Sequence, residues 1–355
     1  MNVLYCKQPQ QPISRKLFVW LCMLYLPLLS LKAQDIHFSQ FFEAPLLRNP
    51  SLAGLFEADF RTQLVYRDQW KSITPNSYRS LSFNSEYKLP VGKGNDFLTM
   101  GLQFLLDKAG AAGLSTTHVL PVLNYHKSLS DQKMSYLSVG FMGGWVQKRI
   151  DYSRITTASQ YGGGTFDPTA PTGEHIANPN LSYWDASVGM SFNTSFGPDQ
   201  QHVFFIGASY QHLNRPKHSF YIDPTIEVYP KYVYSAGVKI ILNDYSTLTL
   251  HQDVFIQNTY REIIGGGLLS YKLGDFSDVP IYVIHAGAFI RWKDAVIPVI
   301  KLDRRSMSMT FSYDINNSDL KTVSQSRGGF ELGLSYKGFL DRYNTSRDKV
   351  LCPEF

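Results

Sequence analysis

The residues best placed to do chemistry are the carboxylates Asp185, Glu227, Asp253, Asp314 and Glu331, because acids that share a space can act as a general acid and base pair. They are expected to face a hydrated interior, where a solvated charge needs no catalytic role. No nucleophile, base and orienting partner can be assembled around them. The nine histidines are dispersed, and the closest set, His202, His212 and His218, lacks the spacing of a metal shell. Gly162 to Gly164 sits in a loop with no strand-to-helix junction that could cradle a phosphate. Gly265 to Gly267 sits inside a strand, where it permits close packing or a bend. The expectation is a chain without enzymatic activity, cofactor or metal.

The elements that carry these residues are unusually regular. Met307, Met309, Phe311, Tyr313 and Ile315 alternate with Ser308, Thr310, Ser312 and Asp314. Side chains of a strand point to opposite faces in turn, so this stretch wants a nonpolar medium on one side and water on the other. Leu98, Met100, Leu102, Phe104 and Leu106 repeat the pattern, as do Trp184, Ala186, Val188, Met190 and Phe192. A soluble sandwich could also alternate. However, the row Tyr232, Tyr234, Ala236, Val238 and Ile240 stands opposite Lys231 and Lys239, and lysines are costly in a packed core. In a membrane barrel they face the lumen. Tyr66, Tyr87, Trp145, Trp184, Phe192, Tyr232, Tyr271, Tyr313 and Tyr336 sit near row ends, which suits interfacial girdles.

The fold class expected is therefore all-β, a transmembrane antiparallel barrel of about fourteen strands with N- and C-terminal periplasmic tails. The strands are expected near 59–69, 78–89, 97–106, 114–128, 134–149, 181–195, 202–212, 230–242, 245–257, 260–273, 280–291, 295–302, 305–315 and 328–337. Pro121 and Pro298 each remove a ladder donor, so bulges or local breaks are expected there. Long connections at 150–180, 213–229 and 316–327 fall on one side, and tight ones at Ser130 to Lys133, Asn243-Asp244 and Asp303-Arg304 on the other. Asn243-Asp244 reads as a two-residue hairpin turn. Bulky inward candidates Arg79, Tyr136, Met142 and Phe205 favour a blocked lumen.

Residues 1–33 hold Lys7, Arg15, Lys16 and Lys32, no acid, an apolar run from Leu17 to Leu31, and then Ala33, which reads as a signal peptide. Without it, 30 Lys and Arg face 29 Asp and Glu, so the electrostatic case for nucleic acid as a partner is lost. Cys6 and Cys22 lie in this leader, which leaves Cys352 alone and no intramolecular disulfide. Residues 34–58 precede the first strand. They read either as a loose leader or as a plug tucked into the periplasmic mouth, and Phe38, Phe41, Phe42 and Phe56 favour something packed. The barrel is expected over 59–337 and a periplasmic tail over 338–355. The run Arg327 to Leu334 has the polar, glycine and spaced apolar pattern of a barrel's last strand.

Specific strings go further than the pattern. The stretches Gln34 to Phe42 (QDIHFSQFF), Asn49 to Gly54 (NPSLAG) and Tyr66 to Trp70 (YRDQW) come in order near the start. Leu213 to Pro216, Ser312 to Asn316, Ser318 to Leu320, Arg327 to Glu331 and the closing Cys352-Pro-Glu-Phe355 follow in the distal half. Together they resemble the PorP/SprF family of type IX secretion membrane proteins, with Glu354 where a basic residue is commoner. The resemblance implies a non-enzymatic outer-membrane barrel. Its partners would be outer-membrane lipid, a type IX cargo or adhesin C-terminal domain, and periplasmic components such as a ring lipoprotein and a peptidoglycan-binding protein. On that reading the outer loops face the cargo. Tyr161, Phe166, Asp167, His175, Arg215, His218, Tyr221 and Tyr229 are the contact candidates, since exposed aromatics and arginine make strong anchors. The rival expectation is a diffusion pore or small-molecule transporter, to which Lys231, Lys239, His251 and Asp253 would contribute an interior.

Overall fold

The computed structural model describes residues 35–340 apart from 72, 75, 93, 131, 163, 222, 224, 275–279, 319 and 320. The expected leader and most of the expected tail lie outside the described residues. Fourteen strands follow one another around a closed barrel. They are β1 (Phe60–Gln69), β2 (Tyr78–Pro90), β3 (Phe97–Ala109), β4 (Leu114–Ser130), β5 (Ser135–Arg149), β6 (Asn180–Phe196) and β7 (His202–Gln211). After these come β8 (Lys231–Ile241), β9 (Ser246–Gln257), β10 (Tyr260–Leu273), β11 (Tyr282–Arg291), β12 (Ala295–Arg304), β13 (Met307–Asn316) and β14 (Arg327–Gly338). Each strand runs antiparallel to the next, and β14 closes the ring on β1 with Phe60 opposite Gly338 and Gln69 opposite Gly329. No helix among the described residues is long and apolar enough to cross a membrane.

The alternation read from the sequence sets which face each side chain takes. On β13, Met307, Met309, Phe311 and Ile315 are exposed outward, while Ser308, Thr310, Ser312 and Asp314 are buried inward. On β6, Trp184 and Met190 are exposed and Asp185, Ser187 and Ser191 are buried. A barrel with its grease outside and its polar groups inside is the inverse of a soluble one, and it suits a surrounding hydrocarbon layer. Outward aromatics gather near both rims: Trp145 lies directly opposite Trp184 at one end, and Phe60 packs on Tyr336 at the other.

One end, hereafter the loop end, carries the connections 150–179, 212–230 and 317–326. The other, the turn end, carries short turns such as 305–306. Tight turns also occur at the loop end, at 110–113, 258–259 and 292–294, so the asymmetry rests on three long loops rather than on every connection.

Three local expectations are corrected. The turn placed at Asp303-Arg304 sits two residues later, where Arg305 takes a positive φ of 51°, because β12 and β13 stay paired through Asp303 opposite Ser308 and Arg304 opposite Met307. The turn at Asn243-Asp244 is longer than two residues. The Asn243 carboxamide oxygen accepts from the backbone of Tyr245 and Ser246, an Asx-type closure that holds a four-residue loop. Arg79 faces outward near the loop-end rim, 3.6 Å from Asp68, because β2 turns Ser80, Ser82, Asn84 and Glu86 inward. Pro121 and Pro298 both point outward, and each interrupts its ladder without shifting the register.

The segment before β1 fills the lumen along its length, rather than sitting at one mouth. Asp35 lies at the loop end beside His212 and Lys231. The chain descends to Glu43, which meets Lys301, Gln63 and Thr310, and turns back through the helical turn Pro45–Arg48. It then descends again through Asn49 to Phe56, whose carbonyl accepts from Lys88 near the turn end. Phe38, Phe41, Leu46, Leu52, Leu55 and Phe56 are all buried, each worth roughly 1.5–3 kcal/mol of transfer free energy. Sequence supports this seat on the wall as well. Gly140 and Gly189 face each other on β5 and β6 where Asn49 and Pro50 pass, and a Cβ at either position would collide with the plug.

Candidate functional site

Two places in the molecule could meet a partner: the platform at the loop end and the vestibule at the turn end. The platform is built by the two longest loops, which are tied together. The backbone of Asn178 donates to Phe220 carbonyl oxygen at 3.0 Å. The hydroxyl of Tyr221 donates to Glu174 at 2.8 Å, and the hydroxyl of Tyr152 donates to the Glu174 carbonyl at 2.7 Å. Within 150–179, Thr157 and Gln160 form a capping box, and the side chain of Gln160 donates to the Ala170 carbonyl. A connection this long gains its order from such side-chain closures, since it has no ladder to satisfy its backbone.

The eight contact candidates separate on this surface. Tyr161 and Phe166 face each other across a two-residue ribbon with ring centroids 5.3 Å apart, both exposed. Asp167 is spent locally. Its carboxylate accepts from the hydroxyl and backbone of Thr169, and those bonds hold it below the usual carboxylate range. Tyr221 is brought to the first loop by Glu174, a hydrogen bond that pushes its phenol above the usual value. His175, Arg215 and Tyr229 remain exposed. His218 is half-buried with its ring edge-on to Tyr183, and burial, helped by Lys148 and His212, pulls its pKa down to about 4, so it stays neutral. Glu174 and Tyr152 were missed, since no periodicity marks a loop residue that joins two loops.

Below the platform the lumen is locked by ion pairs. Arg48 grips Asp253 through two bonds of 2.5 Å. Arg67 lies 3.1 Å from Asp314 and 3.2 Å from Glu331, and Arg291 lies 3.3 Å from Asp314. Both oxygens of Glu331 accept from the backbone of Ser39 and Gln40 at 2.6 and 2.7 Å. Asp185, Asp253, Asp314 and Glu331 thus do line the interior; the last three are structural partners of the plug, and Asp185 reaches it through His212. Glu227 does not line the interior; it sits in the loop 212–230, where its backbone pairs with that of Lys217 in an isolated antiparallel β-bridge. The histidine set is split, with His212 and His218 at the loop end and His202 at the turn end. Among the described residues no group of three or more His, Cys, Asp or Glu could hold a metal ion.

At the turn end, the plug's lower bend leaves a cavity of about 180 Å³ lined by Arg61, Lys239, Lys272, Lys301 and Lys337, with Glu43 and Asp303 as its carboxylates. Ser270, Thr247, Thr249 and Ser335 add hydroxyls to the same wall.

A closed ring of fourteen strands, apolar outside and charged within, defines a transmembrane β-barrel. Over residues 30–336 the sequence matches the family described as type IX secretion system membrane protein PorP/SprF, and the chain belongs to that family. No curated protein matches it. Among solved structures it is similar to a Pseudomonas aeruginosa FadL homologue, with 10% identity over 82% of this chain and 94% of that one and a TM-score of 0.44. It is also similar to BamA from Haemophilus ducreyi lacking POTRA domains 1–3, with 9% identity over 79% and 70% of the two chains and a TM-score of 0.41. Neither likeness bears on what this chain does.

Proposed function

We propose that this barrel sits in the outer membrane with its loop end outward and supports the export or surface anchoring of a type IX cargo protein, such as a large adhesin. The cargo's C-terminal domain would rest on the platform of loops 150–179 and 212–230, with Tyr161, Phe166, Asp167, His175, Arg215, His218, Tyr221 and Tyr229 as its contact candidates. Periplasmic machinery, including a ring lipoprotein or a peptidoglycan-binding protein, would meet the turn end. The observation that carries this reading is the pairing of a filled lumen with two tied outer loops. A rigid plugged cylinder gives a stable base without free strand edges, and an aromatic-rich loop surface gives recognition.

The filled lumen also weighs against the rival reading of a diffusion pore. Replacing Tyr161, Phe166 and Tyr221 together by alanine should leave the barrel in the membrane while surface display of one cargo falls, measured by whole-cell labelling. Unchanged display of every type IX cargo would sink the proposal, as would a steady open-channel conductance of the intact chain in planar bilayers.

A further inference from the structure

The turn-end cavity has a property that neither export nor anchoring requires. Its wall carries five cations against two carboxylates, and the carboxylates are already engaged. Glu43 takes Lys301 at 2.9 Å, and Asp303 takes His285 at 3.0 Å. Arg61 is held from outside the cavity by Glu86 at 2.8 Å. Among the described residues Lys239 and Lys272 have no carboxylate within ion-pair distance, and Glu57, from the end of the plug, acts on Lys239 only at longer range.

A second observation points the same way. Ser335, 7% exposed, lines this wall with a hydroxyl that has no hydrogen-bond partner. A buried hydroxyl left unpaired costs free energy, and so do like charges gathered where the dielectric is low. One ligand chemistry relieves both: an oxyanion accepts from ammonium groups and hydroxyls together. The volume, about 180 Å³, has room for roughly six waters' worth of liquid, which suits a phosphate-sized group and excludes a folded partner.

We propose that this vestibule binds an oxyanion of phosphate size that enters from the turn end, either free or carried at the head of a larger molecule. Lys239 and Lys272 supply the charge, and Ser335 supplies a hydroxyl donor. The proposal is independent of the cargo reading.

The test uses the full chain in detergent micelles and timed lysine acylation mapped by mass spectrometry, in chloride, inorganic phosphate or glycerol 3-phosphate at equal ionic strength. Phosphate should slow labelling of Lys239 and Lys272 about fivefold, the ratio given by a ligand at four times its Kd, and leave the exposed loop lysines Lys71 and Lys217 unchanged. Protection by inorganic phosphate alone assigns a free anion, and protection by glycerol 3-phosphate alone assigns a headgroup. Equal rates in all three salts overturn the site. In a K239Q/K272Q variant that keeps its heat-modifiable migration, phosphate should no longer raise the unfolding temperature; a retained rise also overturns it.

Discussion

The two halves of the lumen are built on opposite electrostatic rules. Toward the loop end, the plug's charges meet partners: Arg48 with Asp253, Asp35 with His212 and Lys231, and the backbone of Ser39 and Gln40 with Glu331. Toward the turn end, Lys239 and Lys272 stand among other cations with too few acids among the described residues to match them. A buried charge is tolerable only when paired and hydrogen-bonded, so unmatched cations gathered in one space favour an anion between them. The contrast separates a half whose paired charges hold the plug in register from a half whose unmatched cations leave room for an anionic ligand.

The sharpest way to break that contrast is to unpair a locked charge. Arg48→Ala strands Asp253, which is wholly buried, and should lower the unfolding free energy in detergent by about 3–5 kcal/mol. The double variant Arg48→Met with Asp253→Leu should recover most of it, since two apolar groups leave no charge behind. Next in size is Gly189→Val, which puts a side chain where Asn49 lies and should cost about 1–3 kcal/mol, both variants being measured by guanidinium titration in detergent. A loss of under 0.5 kcal/mol in either single variant would mean that the plug is not seated as described.

A smaller effect depends on pH. His212 donates to Asp185 through Nδ1 and to Asp35 through Nε2, each at 2.9 Å, with Lys231 and His118 also facing Asp35. Burial disfavours its charge, but the two carboxylates outweigh that and raise its pKa from 6.5 to about 9. Because the folded value is the higher one, the stabilisation is complete below pH 6.5 and is lost as the pH rises through about 9. Thiol labelling of an Ile36→Cys variant should therefore accelerate across that window, and Asp35→Asn should shift the acceleration to lower pH. The smallest effect is expected at the turn end, where Lys272→Gln should change stability by no more than about 0.5 kcal/mol, because it breaks no pair.

The two halves were also unequally legible in the sequence. The strands announced themselves, because period-two alternation fixes both the existence of a strand and the face each residue takes; Met307 to Ile315 needed no tertiary context. The aromatic rims followed from the same rows. The plug's path did not. Its string Asn49 to Gly54 is turn chemistry without a period, and its ligands Glu331 and Asp314 lie nearly the whole chain away. Arg79 was misplaced because near a strand end a one-residue error in register swaps inside for outside. Glu174 joins the two loops through a single hydrogen bond to Tyr221, a contact that nothing local foreshadows. The vestibule was half visible: Lys239 was recognised as inward, but that Lys272 and Lys337 share its space follows only from ring closure.

That the segment nearest the start is gripped by the strand nearest the end has a consequence for assembly. Ser39 and Glu331 are separated by 292 positions, and β14 also seals the seam with β1. Contacts so distant along the chain form late and slowly. One strand thus fastens both the seam and the stopper beneath it, and loosening that strand would release the two together.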